Sequence, residues 1–167
     1  MSYAVTVTIE PAPDIERIVS EELFRAAVRT QNAWKENLEQ GKGAEGDHGR
    51  PYVGTGEAIN RTNIYPERPG SDVYEIVGET MQHVIAEYGR TPGAKMPPPE
   101  PISRWAKEAG LTPREGETWE SMIWTIRRHV AVHGLKGFAP GLLAMQTIAP
   151  TVEETIKARF KRELEEK

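Results

Sequence analysis

Cysteine is absent from all 167 residues. That excludes a disulfide framework and thiolate chemistry, so any metal would have to be held by imidazole and carboxylate groups. Long apolar runs are also missing: no stretch approaches the roughly 20 residues that span a bilayer. The opening Met1-Ser-Tyr-Ala-Val-Thr-Val-Thr-Ile-Glu10 lacks both the basic region and the apolar core of a secretory signal. The cytoplasm is the expected compartment, and a particle assembled there fits equally well. Nor is there a basic excess. Lys and Arg number 21 against 25 Asp and Glu, a net charge of −4, which argues against a dedicated nucleic-acid binder with its basic face. What is present is ordinary for a globular chain, at 38% hydrophobic and 28% charged, and the length suffices for one domain with a sizeable core.

The pattern along the chain predicts an α+β fold: a small antiparallel sheet packed by a long N-terminal helix and by C-terminal helices, all in a single domain over 1–167. Residues 1–13 read as an N-terminal strand or arm, because Tyr3, Val5, Val7 and Ile9 alternate with Ala4, Thr6 and Thr8 before Pro11 and Pro13. Asp14 can cap a helix whose stripe is Ile15, Ile18, Val19, Leu23, Ala26, Ala27, Trp34 and Leu38, running to about Glu39. Residues 40–56 read as a flexible glycine-rich loop, with six glycines between Gly41 and Gly56. Ala58–Tyr65 and Asp72–Val77 are predicted strands joined by a Pro66…Pro69-Gly-Ser71 turn, the second two-sided enough for a central strand. Met81–Tyr88 reads as a short helix or an extended entry to the Gly89 turn. Helices are predicted over Pro101–Ala109, from Thr118 to Gly134, and over Leu142–Ile148. A charged C-terminal helix fills 150–167.

Chemical motifs are few. Gly41-Lys-Gly-Ala-Glu-Gly46 spells G-x-G-x-x-G, but a helix precedes it and more loop follows, whereas a dinucleotide site needs a strand before and a helix after. His129 and His133 stand one helical turn apart without the glutamate of a metalloprotease helix, and His133 reads as a core-edge residue beyond Val130. His83 and His48 read as surface or loop residues. Glu115, Glu117 and Glu120 fit the first turn of a helix, where the dipole favours acids. Val152, Ile156, Phe160 and Leu164 form a thin seam suited to packing on the body, with contact to a neighbour or fraying at the end. No catalytic residue, cofactor or metal site is expected.

The most distinctive stretch is Tyr88-Gly-Arg-Thr-Pro-Gly-Ala-Lys-Met-Pro-Pro-Pro-Glu-Pro-Ile-Ser-Arg-Trp105. Pro97, Pro98 and Pro99 stiffen the backbone, and Pro101 suits the start of a helix, giving a rigid exposed ligature. Tyr88, Arg90, Met96, Pro97, Pro98 and Trp105 are its interface candidates, since aromatic residues, Met and Arg are enriched in interface cores. Tyr88 and Trp105 could equally be core residues.

Read in order, Arg50-Pro-Tyr-Val-Gly-Thr-Gly56, Glu87-Tyr-Gly-Arg-Thr-Pro-Gly93, the Pro97–Trp105 segment, Ile126-Arg-Arg-His-Val-Ala-Val-His-Gly134, then Phe138-Ala-Pro140 and a terminal helix resemble the tailed-phage minor tail family. These are also called tail-completion or head–tail joining proteins, and the lambda gpZ-like proteins are related to them. The likeness covers Ile15 to Leu164. It implies a non-catalytic structural subunit of the virion neck or upper tail, present in the host cytoplasm during assembly. It further implies a cyclic ring, usually a hexamer, contacts with neighbouring neck and tail proteins, passage of DNA through the lumen and no membrane partner. A tail terminator, a non-virion tail-assembly factor and a metal-dependent enzyme are the alternatives.

Overall fold

The computed structural model describes residues 14–47, 56–70 and 72–166. The predicted Tyr3–Ile9 strand and the second half of the glycine-rich loop lie outside these. Helix α1 spans Ile15–Gln40, about 39 Å at 1.5 Å per residue. The Asp14 carboxylate accepts from the Arg17 N–H at 3.0 Å and fixes its start. Gly41, at φ 65°, ends it, and its N–H reaches the Leu38 carbonyl. The buried face carries Ile18, Ala26, Ala27 and Leu38, as the stripe predicts, but Ile15 is exposed. Glu22 and Thr30 complete the buried line instead. Both are satisfied there: Thr30 donates to the Ala26 carbonyl at 2.9 Å, and Glu22 is paired with arginines.

The segment predicted to open the first strand makes one helical turn, α2 (Glu57–Asn60), before strand β1 (Thr62–Pro66). The turn seats Ala58 fully in the core, and the Thr62 hydroxyl closes it by donating to the Ala58 carbonyl at 2.9 Å. Strand β2 (Tyr74–Gly78) pairs antiparallel with β1, Thr62 opposite Gly78 and Pro66 opposite Tyr74. Among the described residues the sheet has these two strands, so β2 is not central, and Val73 is more than half exposed just before it. The hairpin lies on α1, with the Tyr74 ring 5.4 Å from that of Phe24 and the Gln31 amide donating to the Thr62 carbonyl.

Helices α3 (Met81–Tyr88), α4 (Pro99–Glu108), α5 (Trp119–His133), α6 (Pro140–Ile148) and α7 (Val152–Glu165) follow, the last two joined by a single 3-10 turn. Two small cores result. Leu38, Ala58, Ala86 and Phe138 form one, with Trp34 and Ile59 packed against it. Ala106, Met122 and Ile123 form the other, which binds α4 to α5 with Ile102, Trp119 and Ile126. The Trp119 indole donates to the Ser103 hydroxyl at 2.9 Å across that helix pair.

The C-terminal helix α7 runs antiparallel along α1 and is held by charge. Arg159 donates to Glu22 at 3.0 Å and to Glu21, and Arg17 reaches Glu163 at 2.7 Å. Val152, Ile156 and Phe160 are half-buried, and the ion pairs extend the attachment to Glu163, beyond the half-helix expected from the seam. These bonds hold the Glu21 carboxyl below the ordinary carboxylate range, chiefly through the hydrogen bond from Arg159.

Candidate assembly surfaces

Two segments far apart in the sequence meet at one crossing. At the end of α3, Arg90 and Leu135 exchange both backbone hydrogen bonds, at 2.7 and 2.9 Å. Just beyond, the Phe138 and Ala139 N–H groups both donate to the Ala86 carbonyl. The chains pass so closely that a side chain on Gly89 would stand 2.3 Å from the Leu135 carbonyl, and Gly89 also holds a φ of 73° that favours glycine.

Helix α6 begins at this crossing with Ala139 in the N-cap position, a residue with no side-chain acceptor. Glu87 supplies the missing cap from α3: its two carboxylate oxygens accept from the Gly141 and Leu142 N–H groups at 2.9 and 2.8 Å. The first half of the glycine-rich loop is fastened here as well. Ala44 and Glu45 donate to the Ala139 and Phe138 carbonyls, and Gly43 lies so close that a Cβ would fall 1.6 Å from the Phe138 oxygen. The Gly41, Lys42, Ala44, Glu45 and Gly46 amides are therefore occupied by the chain itself, which leaves no open row of donors for a phosphate.

His83 is buried, not on the surface. Its Nδ1 accepts from the Thr80 N–H at 3.3 Å and lies 2.8 Å from the Thr80 hydroxyl. Its Nε2 lies 2.9 Å from the Thr62 hydroxyl, whose own proton goes to Ala58, so the ring is the neutral Nε2–H tautomer. Burial pushes its pKa below the ordinary histidine value. The signal available in the sequence was Thr80, three residues ahead of His83, a capping-box spacing with histidine in the glutamate position.

The proline-rich ligature is fastened to α5 rather than free. Arg90 bonds to Leu135, Gly93 donates to the Ala131 carbonyl at 2.7 Å, and Arg127 donates to the Pro97 carbonyl at 2.7 Å. Arg127 and Ala131 stand one turn apart on α5 and Leu135 lies just past its Gly134 cap, so the ligature follows one face of the helix and then its exit. Pro97 is accordingly buried and Met96 half-buried, while Pro98 is exposed. Arg90 is half-buried and donates to the Lys95 carbonyl, which bends the ligature back on itself.

Tyr88 and Trp105 are not core residues, at 83% and 45% exposure. On α3, Met81, Val84 and Tyr88 stand at helical spacing along one outward row. Met81 also faces Trp105 across a groove of about 400 Å³ between α3 and α4, rimmed by Glu57, Arg61, Glu79 and Arg104. A second outward row on α5 holds Trp124, with the Arg128 guanidinium 5.3 Å from its ring, and Val132. His129 and His133 lie beside that row, ring centres 4.4 Å apart, and both are exposed; His133 does not edge the core. No third ligand joins them: among the described residues no group of three His, Asp or Glu could hold a metal ion. Glu115 and Glu120 are exposed, and Glu117 accepts from the Arg114 N–H just before α5.

Among the described residues no helix is long and apolar enough to cross a membrane. No family model, curated protein or solved structure matches this chain.

Proposed function

We propose that this chain is a structural subunit of a tailed-phage or prophage virion, which completes the tail and joins it to the head at the neck. The observation that carries the subunit reading is where the large apolar side chains lie. Among the described residues, Ile18, Leu38, Met122, Ile123, Val130 and Phe138 are the large ones that are buried, and alanines make up the rest of the core. Fifteen large hydrophobics among the same described residues are exposed, including the Met81–Val84–Tyr88 row, Trp105 and Trp124. Single exposed apolar residues need no explanation, but aligned rows beside a groove mark contact surfaces. In a ring each subunit would cover such rows on its neighbour. The placement in the neck is supported by the order of motifs that resembles the head–tail joining proteins. A net charge of −4 suits a ring through which DNA passes without sticking.

The test is a cryo-EM map of the parent particle's neck. A ring of this chain between head and tail tube, with Tyr88 and Trp105 buried between subunits, is the expected result. A ring capping the tail tube alone would make the chain a terminator. Absence from purified particles would overturn the virion reading in favour of an assembly factor.

A further inference from the structure

The groove between α1 and α7 has a volume of about 500 Å³. Phe24, Val28 and Ala158 give it an apolar wall, and Arg25, Arg29 and Arg162 a cationic one. The arginines differ in what they touch. Arg25 and Arg159 are paired with Glu21, Glu22 and Glu163. Arg29 and Arg162 have no carboxylate partner among the described residues. Arg29 is the sharper case: its Nε and Nη2 are closed off from water and have no hydrogen-bond partner. Those two nitrogens are the side-on fork of the guanidinium, the geometry that grips two oxygens of a carboxylate at once. A buried cation left unpaired is strongly destabilising, so the groove lacks an acceptor.

The chain carries a matching segment. At the end of α7, Leu164 is 51% exposed, and Glu165 and Glu166 are exposed beside it. An apolar residue flanked by acids complements an apolar wall flanked by arginines. A nucleic-acid backbone fits less well, because Glu22, held by Arg25 and Arg159, lines the groove itself, Glu21 and Glu163 pair with Arg159 beside it, and the half-exposed Phe24 stands in its wall. We propose that the α1–α7 groove receives the Leu164-Glu165-Glu166 turn of a second copy of this chain. Leu164 then packs on Phe24 and Val28, and Glu166 is drawn between Arg162 and the Arg29 fork once the rim side chains turn aside. This rests on the reading of the chain as one subunit of a ring.

Sedimentation velocity and native mass spectrometry on the full chain test it. Wild type is expected to associate, less so as salt is raised. Arg162→Glu and Glu166→Arg are each expected to weaken association by roughly tenfold or more, and an equimolar mixture of the two variants to recover it. Arg29→Met is expected to weaken association while raising the thermal midpoint of the monomer, since an apolar side chain replaces an unpaired buried cation. That opposite pair of shifts is what a merely structural arginine would not give. If wild type associates and all three variants associate as well as it does, another surface joins the subunits: this inference falls and the subunit reading stands. A wild type that stays monomeric at every concentration overturns a second copy as the occupant, and the neck map decides the subunit reading independently.

Discussion

Helix α3 turns His83, Ala86 and Glu87 toward the body and Met81, Val84 and Tyr88 toward the outside, and the two faces obey different rules. On the inner face each polar group has its partner: His83 is held by two threonines, and Glu87 caps a distant helix. On the outer face three large apolar side chains are exposed, Val84 by 46%, Met81 by 70% and Tyr88 by 83%. The residues that make the motif conspicuous in the sequence, the glutamate and glycine of Glu87-Tyr-Gly89, serve the fold. The tyrosine between them points the other way. One tripeptide thus serves both the crossing and the surface.

The sharpest way to break the inner face is Gly89→Ala. A methyl group there meets the Leu135 carbonyl in a backbone conformation already unfavourable for alanine, so the loss is expected to be about 3 kcal/mol or more. Gly93→Ala is the control. Its φ of 79° also favours glycine, but nothing lies within 4 Å, and it is expected to cost only about 1 kcal/mol. Urea unfolding of the two variants separates backbone strain from collision. Equal losses would mean that the crossing is looser than its distances imply.

Glu87→Ala comes next, at about 1–2 kcal/mol, because it uncaps the first turn of α6 without leaving a cavity in the core. Hydrogen exchange should show the loss locally, with the Gly141 and Leu142 amides exchanging faster and those of α1 unchanged. Glu87→Gln should fall between, since one amide oxygen replaces two carboxylate oxygens.

His83 gives a smaller effect with a definite sign. Its pKa is lowered in the folded state, so above the ordinary histidine value of about 6.5 both states are neutral and its contribution is fully present. As pH falls through that value, the unfolded chain takes up a proton that the folded chain refuses, and stability declines until the lowered pKa is reached. The thermal midpoint should therefore fall more steeply from about pH 7 to about pH 5 in wild type than in His83→Gln. Parallel slopes would show that His83 does not titrate differently on folding.

These partnerships also mark what the sequence could convey. The long helix from Asp14 to Gln40 was legible because its cap, apolar period and closing glycine agree locally, and so was the helix opened by Thr118. The turn at Glu57–Asn60 was not, since it forms to bring Ala58 into a core supplied by Leu38, Ala86 and Phe138 from far along the chain. The burial of Glu22 was hidden because it depends on Arg159, 137 residues away. Tyr88 and Trp105 could be named as candidates but not assigned to core or surface until α5 was seen to take up the ligature between them.

The smallest effect on the isolated chain is expected on the outer face, and there its smallness is informative. Tyr88 is 83% exposed and Met81 70% exposed, so Tyr88→Ser and Met81→Ser remove almost no buried area and should change monomer stability by no more than about 0.5 kcal/mol. The same variants should reduce ring formation, or incorporation into particles, most when both are combined across the row. Variants that assemble normally would leave that row a bare surface. Variants that lose stability by more than a surface change allows would show that it packs on the chain's own residues. The contrast between the two faces of α3 thus becomes a measurable ratio: Gly89→Ala should weaken the fold whatever it assembles with, whereas Tyr88→Ser should leave the fold and reduce the assembly.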